Sequence, residues 1–303
     1  FLNLFSSKII HMDPKGLNKV AIAQKKNFIS PGKIISSINE LRDCPPYFGW
    51  VRMGERDLYM YLNGNDDGVA KRWFWLNAFE PASLSIWERV SKFFDSIIDV
   101  GAHTGCYSLV AAKRNPNKKI FAIEPLPVNL SRLTMNREYN NLGNIEIVPG
   151  AAFSSNKYVQ ISSFDDYVYC KSGNSVFENK NHLLDCSVKA FCLNDLPSQF
   201  SRKALIKVDT EGTEHHVITG ASDFLNSRSW FICESTQTNS AEILESRFSK
   251  KNYSFFVIDD EANKIVKCDT LFPRFKNGEL IMNCLNRLVI PAEDLGKLRK
   301  ILS

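Results

Sequence analysis

From residue 96 to residue 234 the chain repeats one pattern: a short apolar run, a cluster of turn residues, then a longer stretch with apolar positions three and four apart. Short apolar runs bounded by turn residues read as buried strands, and the longer stretches read as helices. Strands are expected at 96–100, 119–123, 145–149, 204–209 and 230–233, with helices near 106–114, 127–140 and 214–225. Such alternation predicts an α/β fold built on a doubly wound, mainly parallel sheet. Ligands then collect at the carboxyl ends of its strands. Further on, 242–250 reads as a helix, 253–259 as a strand and 286–290 as a last strand, finishing the sheet with an antiparallel hairpin.

The flanking regions follow other patterns. Residues 1–45 have mixed polarity and stop at Pro45-Pro46, which suggests short helices or an irregular arm. From 47 to 62 aromatic and aliphatic residues interleave with charges and end in Asn63-Gly64-Asn65-Asp66-Asp67-Gly68, the signature of a small hairpin. Aromatics at helical spacing over 73–94 cover the approach to the first sheet strand. The polar stretch 154–181 has strand fragments without a long period and reads as an elaborated loop over the site. Two divisions are therefore expected, an N-terminal accessory segment at 1–70 and the α/β domain at 71–303.

Composition narrows the class. A length of 303 residues accommodates one α/β domain and an accessory segment, and 44% hydrophobic with 23% charged residues is ordinary for a globular protein. The net charge of +5 comes from scattered Lys and Arg in short pairs such as Lys25-Lys26 and Lys118-Lys119. That describes a solvated surface, so no nucleic-acid partner is expected. Eight cysteines without a C-x-x-C pair point to free thiols in a reducing, cytoplasmic setting. No apolar run is long enough to span a membrane. The chain starts at Phe1 without a signal-peptide pattern, as a piece of something longer would.

The chemistry begins at residues 97–105, Ile-Ile-Asp-Val-Gly-Ala-His-Thr-Gly, followed after a second apolar run by Glu124. A strand, glycine turn, helix and acidic strand end form the unit that holds an adenosine-containing cofactor. The glycines are expected to let backbone approach the ligand where a Cβ would collide. Glu124 would accept the ribose hydroxyls. A dinucleotide site needs Gly-x-Gly-x-x-Gly, whereas Asp99 and Thr104 stand where the outer glycines belong. An Asp there suits the ammonium and sulfonium charges of S-adenosylmethionine better than a pyrophosphate.

A second stretch reads Leu205-Ile-Lys-Val-Asp-Thr-Glu-Gly-Thr-Glu214, and Glu234 closes the following strand. Adjacent strand ends face one cleft, so Asp209 and Glu234 should converge near the donor's methyl group. Two carboxylates there can share a proton or bind a divalent cation such as Mg. Glu214 suits the positive end of a helix, and Lys207, mid-strand, needs a carboxylate partner because an uncompensated buried charge is expensive. Of the histidines, His103 lies in the glycine turn, as cofactor contact or backbone-shaping residue; His215 and His216 read as structural, and His11 and His182 lack context.

Together the Asp-Val-Gly-Ala-His-Thr-Gly turn, Glu124-Pro-Leu-Pro-Val-Asn129, Leu133 and Asn136, Lys207-Val-Asp-Thr-Glu-Gly-Thr-Glu214 and Gly220-Ala221 resemble the FkbM family of S-adenosylmethionine-dependent methyltransferases over about residues 75–235. The resemblance implies a seven-stranded class I methyltransferase sheet, Rossmann-like, and O-methylation of a small-molecule or glycan hydroxyl. It implies that Asp99, Gly101, Ala102, His103 and Gly105 hold the methionine part, Glu124 the ribose, Asn129 the outer edge, and Gly150, Ala151 and Ala152 the adenine. His103 replaces the Asn common there. Some related sugar methyltransferases hold a metal where Asp209 and Glu234 stand.

In this reading Asp209, alone or with a cation, receives or displaces the acceptor's proton. Lys207 holds Asp209 ionised or binds an acceptor hydroxyl. The acceptor would lie against 73–80 and 165–177, where Trp73, Trp75, Tyr167, Tyr169 and Phe177 could stack on sugar faces and Glu80 could touch it. Two rivals remain: an NAD-linked oxidoreductase on the same sheet, and a non-catalytic adaptor of this fold.

Overall fold

A computed structural model describes residues 13–28, 41, 44–162, 175–176, 185–197 and 201–302. The chain divides into two compact units, residues 1–79 and 80–303. The first holds helix α1 (Pro14–Phe28), a hairpin of β1 (Tyr47–Arg52) and β2 (Tyr59–Gly64), and helix α2 (Gly68–Leu76). The hairpin is antiparallel, pairing Trp50 with Tyr61. Asp67 starts α2 by accepting from the Val69 and Ala70 amides at 2.8 and 3.0 Å, the usual way a helix's first free N–H groups are satisfied. Trp73 and Trp75 are buried.

The second unit opens with α3 (Pro81–Val90) and runs through β3 (Ser96–Val100), α4 (Cys106–Arg114), β4 (Ile120–Glu124), α5 (Pro127–Tyr139) and β5 (Ile145–Pro149). A side sheet follows, from β6 (Ala151–Ala152), β7 (Lys157–Ser162), β8 (Ser175–Val176) and β9 (Asp185–Phe191). The chain then returns through β10 (Ala204–Val208), α6 (Glu214–Thr219), α7 (Ser222–Asn226), β11 (Trp230–Glu234), α8 (Thr238–Ser249), β12 (Tyr253–Asp259) and β13 (Lys264–Cys268). A short hairpin, β14 (Phe275–Lys276) and β15 (Glu279–Leu280), precedes β16 (Asn286–Pro291) and α9 (Leu295–Leu302).

The central sheet has eight strands in the order β13-β12-β16-β11-β10-β3-β4-β5. Five neighbours from β11 to β5 are parallel, while β16 runs antiparallel to both β11 and β12. The expected seven strands are all present, and β13 adds an outer eighth by an antiparallel turn from β12. Every residue of β3, β4, β10 and β11 is buried, as in a sheet covered on both faces.

Three local expectations differ from the structure. The helix expected over 214–225 is two helices broken at Gly220 and Ala221. A Cβ on Gly220 would stand 2.0 Å from the Phe153 carbonyl oxygen, so backbone passes where a continuous helix would clash. The helical stretch 73–94 is divided by left-handed Asn77 and Glu80. Part of the expected loop 154–181 is β7, whose Val159 and Ile161 face a small core with Val188 and Ala190 of β9. Tyr167, Tyr169 and Phe177 lie outside the described residues, as do His11, His182 and Cys170. The other seven cysteines are free. Among the described residues no helix is long and apolar enough to cross a membrane.

Candidate functional site

Two loops meet at the carboxyl rim of the sheet. The turn after β3 is pinned to the end of β4 by the Gly101 and Ala102 amides, both donating to Ile123 O at 3.0 Å. Gly101, His103 and Gly105 have left-handed backbone, φ 77°, 52° and 101°. The Asp209 amide donates to Val100 O at 3.0 Å, bringing the loop after β10 alongside. A Cβ on Gly101 would fall 1.8 Å from the Asp209 carbonyl oxygen, and one on Gly105 2.3 Å from Leu133 Cδ1. Protein atoms therefore occupy the space next to these glycines. Glycine at both positions is required by loop-on-loop and turn-on-helix packing.

Glu124 locks the turn in place. Its Oε2 accepts from the His103 amide at 2.9 Å, and its Oε1 accepts from the Leu126 amide at 2.9 Å and Asn129 Nδ2 at 3.1 Å. Asn129 thus acts on Glu124. Asn136 Nδ2 donates to Thr104 O at 2.8 Å, tying α5 to the same turn. Asp99 is buried on β3 and accepts from Ser108 Oγ at 2.6 Å. Burial pushes the Asp99 carboxyl up to about 6 against the pull of the Ser108 hydroxyl and the Lys207 charge. Burial likewise raises Glu124. Ala151 and Ala152 pack their side chains into the side-sheet core and the main core respectively.

Lys207 and Asp209 form the polar centre of the second loop. Lys207 is 1% exposed, its Nζ donates to Asp209 Oδ2 at 2.7 Å, and it lies 4.9 Å from the centre of the Tyr107 ring. Burial alone would lower its pKa, but Asp209, Glu80 and Glu234 outweigh that and hold it above its ordinary value. Its sealed placement sets its ammonium against Asp209 and the Tyr107 ring. Asp209 itself is 27% exposed.

Glu214 serves the loop: its Oε1 accepts from the Thr210 and Gly212 amides, both at 3.0 Å. Oxygen atoms of Asp209, Glu211 and Glu234 lie within 4.8 Å of one another. Glu234 is buried, and its Oε2 has no hydrogen-bond partner. Burial, with Asp209 and Glu211 adding to it, raises the Glu234 carboxyl well above its usual range.

Several residues of this rim escaped sequence reasoning. Tyr107 and Ser108 lie in the first turn of α4, two and three residues after Gly105, and that position at a helix start is a usable signal. Glu211, with φ 55°, and Asn286, the first residue of β16, carry no such mark. His215 Nδ1 meets Ser240 Oγ at 3.0 Å and His216 stacks on Phe153 at 4.1 Å, both in packing roles.

The methyltransferase FkbM domain model matches residues 99–256. Cobalt-precorrin-6B C(15)-methyltransferase (decarboxylating) of Salmonella typhimurium is 46% identical over 56 residues, 18% of this chain and 29% of that protein. Methyltransferase 1 of Beauveria bassiana is 25% identical over 151 residues, 42% of this chain and 58% of that protein. The chain therefore spans less than two thirds of the length of these relatives. Partial overlays join it to the precorrin-6y C5,15-methyltransferase of Geobacter metallireducens GS-15 (TM-score 0.39, 14% identity, 68% of this chain and 85% of that one). A SAM-dependent O-methyltransferase of Thermotoga maritima overlays similarly (TM-score 0.36, 11% identity, 70% and 65%).

Proposed function

Because the chain belongs to the FkbM family of methyltransferase domains, we propose that it moves a methyl group from S-adenosylmethionine to a hydroxyl oxygen of a sugar or glycan. The observation that carries this reading is the partly exposed Asp209 carboxylate, ion-paired to buried Lys207, on a residue whose backbone packs directly against Gly101 of the glycine turn. S-adenosylmethionine supplies an electrophilic methyl carbon on a positively charged sulfur. Asp99 and Glu124 supply the negative charge that such a molecule needs. Asp209 accepts the hydroxyl proton as the new O–C bond forms and the S–C bond breaks, leaving S-adenosylhomocysteine. Lys207 holds the Asp209 carboxylate in place through their ion pair. Holding the three reacting atoms in line supplies most of the rate, about 7 to 11 kcal/mol in well-aligned systems.

Asp209, Glu211 and Glu234 also have the donor chemistry of a hard divalent cation, and the partnerless Glu234 Oε2 supports that fit. Such an ion would make an acceptor hydroxyl more acidic. The test of the whole reading is Asp209→Ala: S-adenosylhomocysteine production over a sugar panel should vanish while calorimetry still detects S-adenosylmethionine binding. Turnover retained in that variant would remove Asp209 from the chemistry.

A further inference from the structure

One face of the central sheet carries a row of polar side chains across four adjacent strands. Lys207 pairs with Asp99 between β10 and β3, and Glu234 pairs with Asn286 between β11 and β16. Lys207 also pairs with Ile232, two residues before Glu234, so alternation puts all four on the same face. Glu80 stands over the β16 end of this row. Its Oε2 accepts from Tyr107 Oη at 2.5 Å and from Asn286 Nδ2 at 2.9 Å. Tyr107 in turn lays its ring against Lys207 Nζ, and Glu80 is among the carboxylates that hold Lys207 charged.

Three features separate Glu80 from an ordinary helix-start acid. Its backbone is left-handed, φ 39° and ψ 60°, immediately before Pro81. That conformation is unfavourable for a side-chain-bearing residue ahead of proline, and such strain gathers at working sites. Both anchoring bonds fall on Oε2, while Oε1 has no hydrogen-bond partner among the described residues. The rim next to it is rich in acceptors without donors: Asn286 Oδ1 and Glu234 Oε2 are both buried and unpartnered. Asn286 cannot turn its amide to relieve this, because its Nδ2 is held by Glu80 and by Ser83 Oγ at 3.2 Å.

We infer that Glu80 is a specificity-determining residue that takes a second hydroxyl of the acceptor through Oε1, so that the site selects a vicinal diol. This rests on the reading of Asp209 as the group facing the methylated hydroxyl. Asp209 and Glu80 flank the buried Lys207 ammonium, one oxygen for each neighbouring hydroxyl. Tyr107 and Asn286 are positioning residues that fix the Glu80 carboxylate before substrate arrives, which keeps the ordering cost out of binding.

The experiment uses the full chain, S-[methyl-³H]adenosylmethionine, and methyl pyranosides of glucose, galactose and mannose, each with its mono-deoxy analogues. Wild type should lose roughly tenfold or more in kcat/KM when the hydroxyl beside the methylated one is deleted, since a site built to bind a hydroxyl rejects the analogue lacking it. Glu80→Gln keeps an oxygen for Tyr107 and Asn286 but removes the charge. It should raise KM for the parent sugar more than it lowers kcat, leave donor affinity little changed, and shrink the discrimination against the deoxy analogue. Tyr107→Phe, which retains the ring against Lys207, should lie between the two. Discrimination undiminished in Glu80→Gln, or a loss confined to kcat, overturns the assignment. So does a wild-type protein that binds S-adenosylmethionine calorimetrically and labels none of the pyranosides. Absence of donor binding would instead sink the methyltransferase reading beneath it.

Discussion

Replacing Gly101 by alanine should damage both loops of the site at once. The new Cβ would stand 1.8 Å from the Asp209 carbonyl oxygen and 2.9 Å from its carbonyl carbon, so backbone must move. The residue also keeps φ near +77°, which costs a non-glycine residue about 1–2 kcal/mol. Overpacking a tight interior contact adds about 1–3 kcal/mol. The sum, about 2–5 kcal/mol, is a large share of the roughly 5–15 kcal/mol that holds a domain folded. Because the obstructing atoms belong to Asp209, relief comes from parting the two loops, which displaces that carboxylate from the turn. Urea denaturation should therefore show the stability loss, and calorimetry with S-adenosylhomocysteine should show weakened binding in the fraction that folds. Gly143→Ala is the control: its Cβ meets nothing within 4 Å, and removing a glycine there should be neutral or stabilising by about 0.4–1 kcal/mol. If Gly101→Ala unfolded at the same urea concentration as wild type, the inferred contact between the loops would be wrong.

Two further outcomes follow from the buried acids. Asp99 titrates near 6 in the folded chain against 3.8 unfolded, so between those values the folded state holds a proton that the unfolded state releases. Stability from this group therefore falls as pH rises through that window. Asp99→Asn should raise the melting temperature at pH 7.5 and leave it unchanged at pH 3. A cationic donor favours the ionised carboxyl, so wild type should release protons on binding at pH 5.5, seen as a dependence of calorimetric heat on buffer, and Asp99→Asn should release fewer; equal release would exclude Asp99 as the group concerned. Glu124→Ala leaves the His103 and Leu126 amides and Asn129 Nδ2 without their acceptor, each costing about 1–3 kcal/mol if still buried. Donor affinity should drop at least tenfold in that variant, and unchanged affinity would contradict the role given to Glu124.

The parallel half of the sheet was legible because β3, β4, β10 and β11 are short, mostly apolar, buried on both faces and separated by glycine or proline turns. Asp99 and Lys207 stood out for the opposite reason, as charges where burial forbids them without partners. What the sequence withheld depends on distant pairing. Nothing local says that β16 enters between β11 and β12, or that Lys157–Ser162 finds its partner in Asp185–Phe191. The acids of the rim were read correctly in kind for Glu214, which holds its own loop, but Glu211 reaches the cluster only because a left-handed residue turns the chain there. Glu80 was visible as an acid before proline, while its two anchors lie 27 and 206 positions away.

The late insertion of β16 bears on how the molecule is made. Until residues 286–291 have left the ribosome, the edge of β11 has no neighbour on that side and β12 has none on its inner side. Bare strand edges invite pairing with other chains, so a nascent chain halted anywhere between β12 and β16 is at its most adhesive. Its rim is also unfinished then, since Asn286 has yet to clasp Glu80. Completion of this rim is therefore deferred to β16, and nonsense truncations upstream of it should yield aggregates in place of a weakened protein.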